Sequence, residues 1–180
     1  MSAVTRNPSV KDILQTNKFR LTFGRLPNIT YFCQSVNLPG VSLSEVPFNT
    51  PFVDLYVPGE KIMYDTLNIT FLVDEEMRGW EHIHDWIRGM TFPVEYKEYR
   101  DLYRLSPTAA IRAGTKLPPQ YTDASFVVYS NKNNPTMRID FKDVFPTMLG
   151  SILFNTADSA EVISVSDASF RFSYYNIVRF

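Results

Sequence analysis

A two-residue alternation of apolar and polar side chains is the feature that most constrains this sequence. It recurs in four separate segments, which are Lys18–Phe23, Thr66–Val73, Thr136–Phe141 and Ala168–Val178. Successive side chains of a β-strand point to opposite faces of a sheet, so this period buries one row of side chains and exposes the other. Aromatic residues make up 14% of the chain, which also favours a sheet-based fold. The alternation predicts a mainly antiparallel β-sandwich or β-barrel.

The sequence between these segments predicts how the strands are connected. A turn at Arg25–Asn28 and a strand over Thr30–Val36 predict that residues 18–36 form a hairpin. The alternation over 168–178 predicts a single closing strand. The tripeptide Phe145–Thr147 predicts a compact connection that leads to Gly150.

One amphipathic helix is predicted in the middle of the chain. Asp74 is a suitable N-cap, and the acidic residues that follow it suit the positive end of a helix dipole. Apolar side chains then recur at spacings of three and four residues, at Met77, Trp80, Ile83, Ile87 and Met90. Because Gly89 and Pro93 are stop signals, the sequence predicts one flanking helix over about residues 75–89.

The segment 38–64 is unusual because it is both proline-rich and apolar. It contains Pro39, Pro47, Pro51 and Pro58, and only Phe52–Val57 within it is typical of a strand. Proline cannot donate to a β-ladder, so the segment is predicted to be extended or to lie at a sheet edge. An apolar loop of this length packs on its own domain or on a partner, and uncovered sheet edges also pair between chains. The residues alone therefore predict a self-assembling β module.

Two other segments lack a strong pattern. Residues 1–16 are predicted to form an N-terminal arm, and residues 94–121 an irregular excursion that contains one short helix. Tyr96, Tyr99 and Tyr103 recur there among basic residues, which leaves open a stacking surface for single-stranded nucleic acid. Acidic residues are mixed into the same segment, so we favour the interpretation that the tyrosines pack on the protein body.

Length and composition limit the classes of function. A chain of 180 residues fits one domain, and a net charge of −1 argues against a constitutive nucleic-acid binder. A single cysteine excludes an internal disulfide framework. No stretch reaches the roughly 18 apolar residues of a membrane helix. The first residues lack the apolar core of a signal peptide, so we expect the chain to be made in a cytoplasm.

The sequence carries no catalytic, cofactor or metal-binding motif. We therefore expect no enzyme activity, no cofactor and no small-molecule substrate, because glycine-rich phosphate loops and a GxSxG motif are absent. His82 and His84 lie two positions apart, about 200° around a helix, and so cannot bind one metal jointly. A hydrolase that pairs Cys33 with His82 or His84 stays open as an alternative from another functional class.

Several short motifs occur in an order that resembles the tail tube proteins of contractile-tailed bacteriophages. The resemblance covers residues 17–92 and 135–178, and the intervening residues do not match the family pattern. The matching motifs, in chain order, are Tyr31–Cys33, Leu38–Gly40, Val57–Glu60, Leu67–Glu75, Asp85–Trp86, Phe145–Thr147, Gly150 and the aromatic run Phe170–Val178.

The resemblance implies a structural subunit of a tube. Proteins of this family are β-sandwiches with a flanking helix. Six copies form a ring whose sheets join into one barrel, and rings stack into the inner tube through which the genome is ejected. Related tubes serve type VI secretion and phage-like injection systems. In this arrangement the segment 38–64 contacts the next ring, with Leu38, Val41, Leu43, Val46, Phe48, Phe52, Pro58 and Gly59 as the candidate contacts.

The same resemblance implies a channel wall, partners and a location. DNA in transit should not stick to a lumen, so polar strand residues are the candidates for its wall: Thr66, Asn68 and Thr70. The implied partners are further copies of the chain, the sheath protein, baseplate or tube-initiator and terminator proteins, and the tape-measure protein. Double-stranded phage DNA passes without specific binding. The implied location is the virion tail, after production in the bacterial cytoplasm. A tube-initiator or tube-terminator ring at one end of the tail is the alternative within the family.

Overall fold

The structure is a computed structural model that describes residues 13–91, 93–105, 120–157 and 163–180. Within these residues it contains nine β-strands and three α-helices. The strands are β1 (Phe19–Phe23), β2 (Cys33–Asn37), β3 (Val41–Asn49), β4 (Asp54–Tyr64), β5 (Leu67–Leu72), β6 (Thr122–Tyr129), β7 (Pro135–Leu149), β8 (Val165–Arg171) and β9 (Tyr174–Arg179). The helices are α1 (Pro27–Phe32), α2 (Arg78–Thr91) and α3 (Tyr96–Leu105).

Strand β7 organises the molecule because it belongs to two sheets. Its first part pairs with β6 on one side and β9 on the other, and β6 also pairs with β1; we call these four strands sheet 1. Its last residues, Phe145 to Leu149, pair with β8, which continues through β5 to β2; we call these strands sheet 2. All of these pairs are antiparallel. Asp143, with a φ of 56°, lies where β7 passes from one sheet to the other.

The two sheets share one apolar core. The ring centroids of Phe23 in sheet 1 and Phe170 in sheet 2 lie 5.0 Å apart. Buried side chains occupy alternate strand positions, and the fully buried ones include Leu21, Leu67, Ile69, Phe71, Ile139, Phe141 and Phe170. The predicted fold class, mainly antiparallel β with a flanking helix, is confirmed, and two short helices accompany it.

Helix α2 lies close to its predicted position but is shifted toward higher residue numbers. It begins at Arg78 rather than Glu75, after a turn in which Met77 has a φ of 54°. Asp74 still accepts a hydrogen bond from the backbone of Gly79 at 3.3 Å. The helix continues through Gly89 to Thr91, because this glycine is buried and packed inside the last turn.

The predicted hairpin over residues 18–36 is wrong. Pro27 starts helix α1 instead of a turn, as proline suits the first helical position, and the helix buries Ile29 in the core. Strand β2 begins only at Cys33, and it pairs with β5 rather than with β1. A strand pattern shows that a strand exists but does not identify its partner, so this error was one of long-range pairing.

Two predictions near residues 145–178 are also wrong. The predicted connection after Phe145 is the last part of β7, and Pro146 is accommodated at a register shift against β8. The predicted single strand 168–178 is two strands, β8 and β9, which belong to different sheets. The chain changes sheet at Phe172–Ser173, where the backbone nitrogen of Ser173 donates to Lys142 O at 3.0 Å.

The proline-rich segment is extended, as predicted, but it is a paired β-hairpin rather than a loop. Strands β3 and β4 pair over residues 41–64, and Phe52 lies in the turn between them rather than in a strand. Asp65 N donates to Gly40 O at 3.1 Å, so the hairpin continues directly from the paired strands β2 and β5 of sheet 2. We call β3, β4 and their turn the β3–β4 hairpin.

The excursion and the arm are described only in part. The predicted short helix in the excursion is α3, which packs against α2 and places Glu98 Oε1 2.8 Å from Arg88 Nε. The remainder of the excursion, 106–119, and residues 1–12 of the arm lie outside the described residues. None of the described helices is long and apolar enough to cross a lipid bilayer.

Candidate assembly surfaces

The β3–β4 hairpin exposes an unusual amount of apolar surface. Phe52 is 98% exposed, and the other predicted contacts Leu38, Val41, Leu43, Val46 and Phe48 are 45% to 63% exposed. Sequence reasoning missed a second set on β4 and the turn: Val53, Leu55, Tyr56, Val57, Ile62 and Met63. A two-stranded hairpin without cover is marginally stable in water, so this surface is a candidate for contact with a second protein surface.

The register shows how the far half of the hairpin is arranged. Val46 is paired with Val57 and Phe48 with Leu55, so these four side chains lie on one face. The opposite face carries Pro47 beside Tyr56. The far half therefore has a wholly apolar face backed by a second face that is partly apolar.

A bulge at Pro58 and Gly59 shapes the hairpin. Pro58 pairs with Glu45, and the register shifts between there and Leu43. A Cβ on Gly59 would lie 2.8 Å from Ser44 O, so a larger residue at this position would collide with the opposite strand. Ser44 Oγ also accepts a hydrogen bond from Lys61 N at 3.2 Å. Pro58 and Gly59, which are two of the predicted contact residues, therefore set the shape of the hairpin, because both belong to the bulge in its backbone.

An aromatic cluster anchors the base of the hairpin to the body. The Tyr64 ring lies 5.5 Å from the Phe172 ring and 5.2 Å from the Tyr175 ring, and Phe141 completes the cluster from sheet 1. The base is therefore held by core packing, while the far half has no described side chain covering its apolar face.

The predicted channel-wall residues lie on the solvent face of sheet 2. Asn68 is exposed on β5 and accepts a hydrogen bond from Ser169 Oγ at 2.8 Å. Thr70, two residues further, donates to Asp167 Oδ1 at 2.7 Å. Thr66 is half-buried and precedes the strand. The structure thus places two of the three predicted residues on one polar face and adds Asp167 and Ser169 to it.

The solvent face of sheet 1 has a different charge pattern. Arg138 Nε lies 3.0 Å from Asp140 Oδ2, and Lys142 Nζ lies 2.7 Å from Asp123 Oδ2. The hydrogen bond to Asp123 raises the pKa of Lys142 above its ordinary value. Arg20 on β1 adds a further cation. Sheet 1 therefore presents three cations, two of them paired with carboxylates, whereas the solvent face of sheet 2 carries one carboxylate, Asp167, and one cation, Arg171, at the end of β8.

Within the described residues, no hydrogen bond joins Cys33 to His82 or His84, the pair that the alternative hydrolase would use. Cys33 is half-buried, and burial raises the pKa of its thiol to about 11, which suppresses the nucleophilic thiolate. His84 stacks on Trp80 with ring centroids 5.5 Å apart and contacts Asp85 at 3.3 Å, and His82 is exposed. Among the described residues no three His, Cys, Asp or Glu side chains are placed to hold a metal ion.

Comparison with known proteins gives a consistent result. A family model described as phage tail tube protein matches residues 6–178. The tail tube terminator protein of Enterobacteria phage T4 is 23% identical over 151 residues, which are 82% of this chain and 77% of that protein. Among solved structures, the tube-terminating cap of the anti-feeding prophage has a TM-score of 0.63 at 13% identity, with both chains fully covered. A chain of the extended sheath-tube complex of an extracellular contractile injection system (PVC) has a TM-score of 0.62 at 13% identity, covering 100% of this chain and 99% of that one.

Proposed function

Since this chain belongs to the phage tail tube protein family, we propose that its copies close into hexameric rings that stack into the inner tube of a phage tail. The observation that carries this proposal is the β3–β4 hairpin, whose exposed apolar face needs a second protein surface. In a stacked assembly the next ring supplies that surface. Head-to-tail contacts close into a ring within one plane and remain open along the axis, which produces a tube of variable length.

The predicted contact residues take two roles in this proposal. Leu38, Val41, Leu43, Val46, Phe48 and Phe52 contribute apolar area to the contact between rings. Pro58 and Gly59 maintain the bulge that directs the far half of the hairpin toward the next ring. The missed residues Leu55 and Val57 join the contact because they are paired with Phe48 and Val46.

The channel wall is assigned to the solvent face of sheet 2. A polyanion slides past a surface without sticking when that surface offers few cations. The face around Asn68 and Thr70 comes closer to this requirement, because its one cation is Arg171 at the end of β8, and its cross-strand hydrogen bonds to Ser169 and Asp167 occupy its polar groups internally. The solvent face of sheet 1, which carries three cations, meets this requirement less well. Double-stranded DNA is thus the transient occupant of the channel, preceded by the tape-measure protein during assembly.

The place of the protein follows from the same proposal. The subunit is made in the host cytoplasm and acts in the virion tail, in contact with the sheath and with the proteins at both tube ends. It has no catalytic task, cofactor or small-molecule substrate in this role. Helix α3 then faces the sheath on the outer wall.

A terminator ring at one tube end is the second candidate. The observation that favours it is the name of the T4 relative, a tail tube terminator protein. A terminator needs only one stacking surface, whereas a tube subunit needs two complementary ones. The two candidates therefore differ in how far the protein polymerises by itself.

Electron microscopy of the purified protein at high concentration tests both candidates. We expect hollow tubes of stacked six-fold rings, with lengths that grow with protein concentration. Single or paired rings that never elongate would replace the tube subunit with the terminator. A protein that stays monomeric at every concentration, and is not recruited by tubes or baseplates, would contradict both.

A further inference from the structure

The connection between β7 and β8 exposes a second apolar surface, which the contacts discussed so far do not use. Leu153, Phe154, Ile163 and Val165 are 87%, 75%, 72% and 47% exposed, and we call these four side chains the β7–β8 patch. The chain carries no charged residue over 147–157. Apolar side chains that are exposed together, rather than singly, mark a surface for contact with another protein.

Hydrogen bonds hold the connection in place where it leaves β7 and where it enters β8. The carbonyl of Gly150 accepts hydrogen bonds from Trp80 of α2 and from Ser166 of β8. Val73 N donates to Ser164 O at 2.9 Å, which fixes the returning chain beside the end of β5. The backbone at both ends of the patch is therefore ordered before a partner binds, which lowers the entropy cost of the contact.

The β7–β8 patch and the β3–β4 hairpin lie at opposite ends of sheet 2. Val165, the first residue of β8, pairs with Leu72 at the end of β5. Leu67, at the start of β5, follows closely after Asp65, whose N–H binds Gly40 O at the base of the hairpin. Strand β5 separates the two surfaces by about 17 Å, at about 3.4 Å per residue. Matching surfaces at opposite ends of a subunit can repeat head to tail without closing.

The two surfaces also match in chemistry. The far half of the hairpin has a wholly apolar face, and the chain is uncharged over 46–53. Moving a charge into an apolar contact costs free energy unless the charge is paired, so an uncharged face suits an uncharged receiver. The solvent face of sheet 1 carries several charges, and the groove beside Ile87 is lined by Arg88. Both of these surfaces therefore suit the hairpin less well than the β7–β8 patch does.

We propose that the β7–β8 patch of one copy receives the far half of the β3–β4 hairpin of a second copy. The inference rests on the tube proposed above and names the receiving surface of its stacking contact. The chain then carries both of the complementary surfaces that a repeating subunit needs, which favours the tube subunit over the terminator ring. Contact of one hairpin with another hairpin would be two-fold instead and would stop at a pair of rings.

Complementation between two variants tests this pairing. The first variant, Phe48→Ser with Leu55→Ser, has a defective hairpin and an intact β7–β8 patch. The second, Leu153→Ser with Phe154→Ser, has the reverse. Because all four side chains are exposed, we expect both variants to keep the wild-type melting temperature and to form single rings in electron microscopy. When the preformed rings are mixed, we expect ring pairs that grow no longer, because one hairpin and one patch are intact at their contact.

The outcomes that overturn the pairing differ from those that overturn the proposed function. Phe154→Leu keeps the patch apolar and should form tubes as the wild type does. Tubes from the serine variant of the patch, or mixed rings that fail to pair, would mean that the hairpin has another receiver. Monomers from that variant would place the patch in the contact within a ring and also overturn the proposal. A wild-type protein that forms no tubes would contradict the proposed tube subunit itself.

Cross-linking keeps the test decisive if the serine variant of the patch fails to fold. In a Cys33→Ser background, one protein carries Phe48→Cys and a second carries Leu153→Cys. The two are assembled together and treated with a short bismaleimide, and we expect a covalent dimer that joins residues 48 and 153. Asn131→Cys, in the exposed turn between β6 and β7, replaces Leu153→Cys as the control and should give a several-fold lower yield. Equal yields from the two pairs would overturn the proposal.

Discussion

Gly150 lies where the end of β7 packs against β8 with no room for a side chain. A Cβ at this position would be 2.9 Å from Asp167 O and 3.0 Å from Asp167 N. Its carbonyl accepts hydrogen bonds from Trp80 Nε1 at 3.0 Å and from Ser166 Oγ at 3.2 Å. The residue therefore joins α2 to sheet 2 through its backbone.

Gly150→Ala is expected to destabilise the fold by about 2 kcal/mol, because the added methyl group collides with backbone atoms that are fixed in a strand. Urea denaturation of the unassembled protein measures this change. Gly40→Ala is the matched control, since the new Cβ would meet only the exposed carboxylate of Asp65, which can rotate away. An equal loss of unfolding free energy in Gly150→Ala and Gly40→Ala would contradict the proposed collision at Gly150.

The thiol of Cys33 is expected to react more slowly than an unperturbed cysteine thiol. Burial raises its pKa from 9.0 to about 11, so at pH 8 its thiolate population is about a hundredfold below that of an unperturbed thiol. Alkylation by iodoacetamide, followed by mass spectrometry, should accelerate about tenfold per pH unit between pH 8 and about 10. The same protein unfolded in urea is the control. Fast alkylation of the folded protein at pH 8 would contradict the burial and reopen the alternative with His82 or His84.

At the scale of elements, the proposed contact between rings uses side chains of the β3–β4 hairpin that the fold of the subunit leaves exposed. Phe48 and Leu55 are paired and more than half exposed, so truncation costs the isolated subunit little. In a stacked assembly each apolar side chain that becomes buried contributes about 2 kcal/mol, or about thirtyfold in an association constant.

The double substitution Phe48→Ser and Leu55→Ser should therefore abolish tubes and leave single rings and an unchanged melting temperature. Sedimentation velocity and electron microscopy measure the assembly state. Phe48→Leu keeps the surface apolar and should retain stacking. Normal tubes from the double variant would show that the hairpin does not form the contact between rings.

The sequence predicted an element correctly where its pattern lies within one continuous stretch of the chain. Leu67, Ile69 and Phe71 alternate within one strand, and their burial was predictable from that pattern. The pairing of β2 with β5 was not, because it is set by contacts between distant residues. The run 168–178 misled for a related reason, since its alternation continues almost unbroken across the sheet change at Phe172–Ser173. Leu55 and Val57 were not predicted as contacts, because their exposure depends on the cross-strand register.

At the scale of the whole molecule, the two sheets differ in what they offer to a passing polyanion. The face of sheet 1 carries Arg20, Arg138 and Lys142, two of which are paired with carboxylates. Sheet 2 presents Asn68 and Thr70, bonded across the strands to Ser169 and Asp167, and a single cation, Arg171, at the end of β8. The proposed ring would turn only one face of each subunit toward the axis, so an added cation should slow DNA passage on one sheet and have no effect on the other.

Asn68→Lys is accordingly expected to slow genome release, since every subunit then adds a cation that binds phosphate inside the channel. The effect should be about tenfold or more at low ionic strength and should weaken steeply as salt rises, because counterion release drives the binding. A fluorescent dye that reports DNA leaving triggered particles measures the rate. Thr22→Lys adds the same charge to an exposed position on sheet 1 and should release DNA at the wild-type rate. Slow release from Thr22→Lys together with normal release from Asn68→Lys would reverse the assignment and place sheet 1 at the channel wall.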